Sequence, residues 1–221
     1  MEIKTVLFDL DGTLTDSGTG ITNSVNYALK KYGMEVENPS KLRHFIGPPL
    51  KEQLRVYCGI SEEESNQAVA YYREYYTEKG IFENEVYEGI PELLQALKSA
   101  GKTVIMATSK PEKFAKIIAD HFNISQYFDF IGGSLMDGTR TKKSEVIEYA
   151  LKECKIQNRE SALMVGDRRY DILGAKELNI HSMGVLYGYG TREELESAGA
   201  DIIIKTPGEA AGYLNVSIDK S

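Results

Sequence analysis

Three short clusters of oxygen-bearing side chains stand out in these 221 residues. The first is Asp9-Leu10-Asp11-Gly12-Thr13, directly after the apolar run Val6-Leu7-Phe8. On an extended backbone, residues two apart project to the same side. Asp9 and Asp11 therefore share a face at the end of a buried strand, while Leu10 points away. Gly12 lets the chain turn through positive φ, and Thr13 adds a hydroxyl. Two carboxylates held this close repel unless something neutralises them. A hard divalent cation such as Mg2+, which prefers oxygen ligands, is suited to that task. The plainer alternative is a polar loop with solvated acids, but buried runs seldom end in such a clustering. The second cluster is Thr108-Ser109, after Val104-Ile105-Met106-Ala107. A hydroxyl with backbone amides at a helix start makes an anion site. The third is Gly166-Asp167-Arg168-Arg169-Tyr170-Asp171, whose two acids, four residues apart, share one side of a helix. Lys142 and Lys143 add cations at the opening of another helix.

Each cluster alone has an ordinary explanation. Thr108-Ser109 is a reasonable helix cap. Lys143 on a helix is usually a solvated charge. Asp167 and Asp171 favour a helix N-terminus whatever their use, and Arg168 or Arg169 can pair with them. The weight comes from the elements that carry them. From Ser17 to about Val86 the pattern is helical throughout: Ile21, Val25, Ala28 and Leu29 form one stripe, and Ser61 with Glu64 is a capping-box signature. The tyrosines at 71, 72, 75 and 76 read as packing between helices.

After that stretch, strands and helices alternate. Strands are expected at Thr103–Ala107, Phe128–Ile131, Ala162–Val165, Met183–Tyr187 and Ile202–Ile204. Helices are expected at Pro111–Phe122, Lys142–Cys154 and Tyr170–Leu178, among others. Alternation of this kind implies an α/β fold: a three-layer, doubly wound parallel sheet covered on both faces. The opening strand belongs to that sheet, so the helical stretch is an insertion. The expected division is an α/β core of residues 1–16 and 87–221 and an all-helical cap domain of residues 17–86. In open parallel sheets, ligands bind beyond the carboxyl ends of the strands. Those ends supply carboxylates, hydroxyls and a lysine, which together make a metal site beside a phosphate site.

On these motifs the chain resembles the haloacid dehalogenase superfamily of phosphohydrolases, in the subgroup with a helical cap after the first strand. Asp9-Leu10-Asp11-Gly12-Thr13 is similar to the first family motif, Thr108-Ser109 to the second and Asp167 with Asp171 to the fourth. Lys143 best matches the third, with Lys142 the runner-up because spacing leaves the register open. The resemblance implies catalytic roles for Asp9, Asp11, Thr108 and Lys143. It implies Mg2+ held by Asp9, the Asp11 carbonyl, Asp167 and Asp171, and substrate contacts from Thr13 and Ser109. Asp9 would attack phosphorus to give an aspartyl-phosphate, and Asp11 would act as acid and then base. Arg43, in the rigid loop Arg43-His44-Phe45-Ile46-Gly47-Pro48-Pro49-Leu50, could meet a second anionic group. The same loop reads equally well as an interhelix turn with a surface arginine.

The resemblance extends to phosphoglycolate phosphatases and 5′-nucleotidases, and to phosphotyrosine-active enzymes. A sugar phosphomutase and a non-catalytic module on the same fold are the alternatives. A net charge of −7 and a pI near 5.2 argue against a nucleic acid polymer or an anionic membrane as partner. The expected partner is a small phosphorylated metabolite, with the protein a monomer or weak homodimer. Cys58 and Cys154 fit no disulfide framework or metal spacing, which favours a cytoplasmic setting. His44, His121 and His181 are expected to be structural or surface residues.

Overall fold

The computed structural model describes residues 2–218. The chain divides into two compact units, one of residues 1–15 with 86–221 and the other of residues 16–85. In chain order the elements are β1 (Thr5–Phe8), β2 (Thr15–Asp16), α1 (Gly18–Lys30), α2 (Leu50–Cys58), α3 (Glu62–Tyr75), β3 (Glu85–Val86), α4 (Ile90–Ser99), β4 (Thr103–Pro111), α5 (Glu112–His121), β5 (Phe130–Ser134), α6 (Lys143–Glu153), β6 (Ala162–Gly166), α7 (Arg169–Glu177), β7 (His181–Val185), α8 (Arg192–Ala198), β8 (Ile202–Ile204) and α9 (Pro207–Tyr213).

The larger unit is built on a six-stranded sheet of order β5-β4-β1-β6-β7-β8, with every recorded pairing parallel. This is the expected α/β architecture. β1 lies between β4 and β6, with Leu7 opposite both Ile105 and Met164. All four residues of β1 are buried, which explains its uninterrupted apolar run. Leu7, Ile105 and Met164 face Val146, Ile147 and Ala150 of α6 and Ala175 of α7 in one core cluster. Val6 and Phe8 alternate with Leu7 and serve the opposite face. α4 and α9 pack on each other and against β4 and β8 respectively. Asp129 pins the start of β4: its Oδ2 accepts from the Val104 N–H at 2.8 Å while Lys98 closes on the same carboxylate.

The smaller unit is helical between its two short terminal strands. α1 packs on α3 and on a 3-10 turn at Pro39–Phe45, and α2 packs on α3. The Asn26 side chain both donates to and accepts from the Val36 backbone at 3.0 Å. The tyrosines act as spacers between helices, with Tyr27 against Tyr75 and Tyr32 against Tyr71. The Ser61–Glu64 capping box starts α3 as expected.

Three expectations need correction. β3 falls inside the stretch read as wholly helical and pairs with β2. Two residues are too few to show the period-2 alternation by which strands are read. β7 begins at His181 and ends at Val185, so Tyr187 lies in the loop that follows. β4 runs on to Pro111, with a register irregularity between Thr108 and Pro111 opposite β5. Thr108 and Ser109 are therefore in a bulged strand end, not at the start of α5.

Because Leu7 is fully buried in the core cluster two residues before Asp9, Leu7→Ala should lower unfolding free energy by about 2–5 kcal/mol. Urea denaturation measures this, and a loss below about 1 kcal/mol would show that the sheet does not depend on β1 for its packing.

Candidate functional site

The larger unit brings the acidic and basic residues of five chain segments to the carboxyl ends of β1, β4 and β6. Asp9 follows β1, and its N–H donates to the Val165 carbonyl of β6 at 2.9 Å. The turn after it is held on Leu10, whose carbonyl accepts from the N–H groups of Thr13, Leu14 and Thr15. Gly12 takes φ +83°, the left-handed value expected from its position. Any side chain there would also strike the Asp167 carboxylate and the Tyr189 ring.

Asp167 follows β6 and is fully buried. The Tyr189 N–H donates to its Oδ2 at 2.8 Å, and the Thr13 hydroxyl donates weakly to its Oδ1 at 3.4 Å. Asp171 lies in the first turn of α7, also fully buried, and its Oδ2 accepts from the Arg168 N–H at 3.0 Å. Glu194 of α8 fixes the same turn by accepting from Arg168 Nε and from the Arg169 N–H.

Asp9, Asp167 and Asp171 form one cluster, each offering a carboxylate oxygen within 4.8 Å of the others. Lys143, at the start of α6, reaches into it. Its Nζ is 2.8 Å from Asp9 Oδ1, 2.8 Å from Asp171 Oδ1 and 3.2 Å from the Ala107 carbonyl. Three oxygens surround the ammonium, so Lys143 is committed to protein groups. Lys142 is exposed and pairs with Glu177 instead. Of the two lysines at this helix start, only Lys143 stands among the acids.

The electrostatics of the cluster are unbalanced. Burial pushes the Asp167 carboxyl well above the usual carboxylate range, and the charges of Asp171 and Asp9 push it further. Burial also raises Asp171, an effect that Lys143 only partly offsets. Burial alone would lower Lys143, but Asp171 and Asp9 overcome it and hold the ammonium charged. The cluster thus holds three acids, of which one ammonium pairs with two. Asp9 Oδ1 and Asp171 Oδ1 are buried and meet Lys143 as ion pairs without a hydrogen bond of good angle. Hard oxygen donors, buried, crowded and under-compensated, fit a divalent cation such as Mg2+.

The remaining residues are placed as follows. Thr108 is buried, and its Oγ1 accepts from the Lys110 N–H at 3.2 Å, which leaves its own proton to donate elsewhere. Ser109 is half-buried beside it. The Asp11 carboxylate lies outside the cluster of three and pairs with Lys110 at 2.9 Å. Arg43 is in the smaller unit, exposed in the last turn of the Pro39–Phe45 helix.

Sequence reasoning missed two parts of this site. One is Lys110, which a reading confined to Thr108-Ser109 passed over. The other is Gly188-Tyr189-Gly190, the loop after β7. A side chain at Gly188 would overlap the Gly12 carbonyl and the Asp167 side chain, and one at Gly190 would overlap the Asp167 carbonyl. The loop must lie flat on Asp167 to deliver the Tyr189 N–H. The signal for it was available: two glycines bracketing one residue just past a strand's carboxyl end.

A family model described as haloacid dehalogenase-like hydrolase matches residues 6–185. Three curated relatives match over most of the chain. A 5′-nucleotidase from Pseudomonas aeruginosa is 46% identical over 87% of this chain and 86% of its own length. A protein named tyrosine-protein kinase PtkA from Mycobacterium tuberculosis is 38% identical over 90% of this chain and 67% of its own. Phosphoglycolate phosphatase 1 from P. aeruginosa is 31% identical over 91% of this chain and 76% of its own. The crystal structure of a predicted phosphatase from Clostridium acetobutylicum superposes with a TM-score of 0.93 at 46% identity, covering 97% of this chain and 99% of that one. The chain belongs to the haloacid dehalogenase-like hydrolases. Within that family it is a phosphatase, a hydrolase of phosphoric monoesters.

The imbalance of the site has a thermodynamic sign. A carboxyl whose pKa is raised by folding contributes stability below its unfolded value and loses it as pH rises through the folded value. At neutral pH, without a divalent cation, Asp167 therefore costs stability. Asp167→Asn should raise Tm in EDTA by a few degrees, with about 2–4 °C for each kcal/mol recovered. Where a divalent cation raises the Tm of the wild type, the same variant should lose that shift. A lower Tm for the variant in EDTA, read by differential scanning calorimetry, would contradict the imbalance.

Proposed function

We propose that this phosphatase hydrolyses small phosphomonoesters with Asp9 as nucleophile and Mg2+ as cofactor. The observation that carries the reading is the convergence of the Asp9, Asp167 and Asp171 carboxylates at the carboxyl ends of adjacent strands, with Lys143 paired to Asp9 and Asp171. Asp9, Asp167, Asp171 and the Asp11 carbonyl would hold Mg2+, which when bound offsets the negative charge of the phosphate.

Asp9 has the position of a nucleophile. It follows a strand buried at the centre of the sheet, its N–H is tied to β6, and Lys143 fixes Oδ1. A carboxylate held this firmly loses little freedom on reaching an in-line geometry. In the first step an Asp9 oxygen bonds to phosphorus as the bond to the leaving oxygen breaks. Asp11 supplies the proton that the leaving oxygen takes up. In the second step Asp11 removes a proton from water, whose oxygen attacks phosphorus and frees Asp9 and inorganic phosphate. The Thr108 hydroxyl has its oxygen engaged by the Lys110 N–H, so its proton is available to a phosphoryl oxygen. The Ser109 amide and the Lys143 charge would add to that stabilisation. Thr13, through its bond to Asp167, would keep one metal-facing carboxylate aligned.

The relatives support a nucleotide or a small phosphorylated acid as the class of substrate. The net charge of −7 fits a free metabolite better than a polyanion. A phosphomutase on the same scaffold would return an isomer of its substrate instead of free phosphate. A cytoplasmic setting is consistent with two free, half-buried cysteines, and among the described residues no helix is long and apolar enough to cross a membrane.

The test is phosphate release across a panel of nucleoside monophosphates, phosphoglycolate, sugar phosphates and an aryl phosphate. Wild-type protein should release phosphate from at least one class only when Mg2+ is supplied, and EDTA should abolish the release. Asp9→Asn should lower turnover at least ~10³-fold, the scale on which loss of a nucleophile registers. Undiminished turnover by that variant would remove Asp9 from the chemistry.

A further inference from the structure

We propose that Lys110 is a positioning residue for Asp11, anchoring one oxygen of its carboxylate so that the other does the proton transfer. The proposal rests on the reading of Asp11 as acid and base. Lys110 Nζ lies 2.9 Å from Asp11 Oδ2, with side chains only 5% and 16% exposed. Asp11 Oδ1, by contrast, is buried and has no hydrogen-bond partner. The two oxygens of one carboxylate are thus in different states: one held by an ammonium, the other buried without a donor. An ammonium this buried is costly to keep unless it is paired. Its placement is a specific feature of the fold.

The fold aims Lys110 by an irregularity in β4. Thr108 stands opposite Gly133 and Pro111 opposite Ser134, so β4 advances three residues while β5 advances one. The extra residues are Ser109 and Lys110. Bulges of this kind bend a strand and re-aim its side chains. The Lys110 N–H is held by Thr108 Oγ1 within the same irregularity. The hydroxyl expected to face the phosphoryl group and the ammonium that faces Asp11 are therefore set by one backbone distortion. Asp9 and Asp11 are sorted by different lysines, Asp9 by Lys143 from α6 and Asp11 by Lys110 from β4.

A residue that positions the proton donor matters most where the leaving group needs a proton. The experiment compares kcat/KM, which reads only the steps through departure of the leaving oxygen, for an alkyl phosphate and for 4-nitrophenyl phosphate. Lys110→Met should lower kcat/KM on the alkyl ester by about 10²-fold, within the range that positioned proton transfer supplies. On the aryl ester, whose leaving group departs without a proton, the loss should be only a few-fold. Because both substrates are read on one preparation, any unfolded fraction cancels from the ratio. Lys110→Arg, which keeps the charge, should return the ratio toward the wild type. Asp11→Asn is the reference. If it shows the leaving-group dependence and Lys110→Met does not, the positioning role is overturned while the reading of Asp11 stands. If Asp11→Asn itself shows none, the reading of Asp11 falls and the role of Lys110 with it. Equal losses on both substrates, or a raised KM with unchanged kcat, would make Lys110 a structural or substrate-holding residue instead.

Discussion

Three crowded acids, two of them sharing one ammonium, are the constraint from which the rest of the larger unit follows. Folding places carboxylate oxygens of Asp9, Asp167 and Asp171 within 4.8 Å of one another and gives Asp9 and Asp171 a shared counter-charge in Lys143. Such an arrangement opposes folding, because desolvation and like-charge repulsion both penalise the ionised forms. It persists because the scaffold over-determines it. β1 and β6 are adjacent and wholly buried, so the residues that follow them have little choice of position. Backbone N–H groups from Tyr189 and Arg168 then take the outer oxygens of Asp167 and Asp171. The apolar sheet supplies the stability that the polar cluster spends.

The fold was legible because its signals are long and periodic. The apolar runs Val6-Leu7-Phe8 and Val104-Ile105-Met106-Ala107 are buried strands, as runs of that kind in a parallel sheet must be. The acidic pairs were legible for a similar reason: carboxylates directly after such runs have no role in packing. What could not be read depended on contacts between distant segments. The Gly188-Tyr189-Gly190 loop looks like an ordinary turn until Asp167 is seen beneath it. The choice between Lys142 and Lys143 needed the helix phase, which one residue's shift in register reverses. The extension of β4 through Thr108 to Pro111 was hidden because Pro111 reads as a helix start. In the fold it pairs as the last residue of the strand, and α5 begins one residue later.

Asp9 and Asp11 show how two identical side chains, separated by one residue, come to have different chemical lives. Sequence periodicity alone puts them on the same face and suggests a matched pair. The structure instead separates their partners. Asp9 faces Lys143 and the acids that follow β6 and open α7, an environment that holds its carboxylate fixed. Asp11 lies outside that cluster, with one oxygen on Lys110 and the other unengaged. Under the proposed mechanism, this difference in partners would separate nucleophile from proton carrier. The division does not arise within the motif Asp9-Leu10-Asp11, which treats the two acids alike. It is imposed by two lysines arriving from separate elements, one at a helix start and one at a strand bulge. The first motif therefore supplies the two carboxylates, while the difference in their surroundings belongs to the tertiary structure.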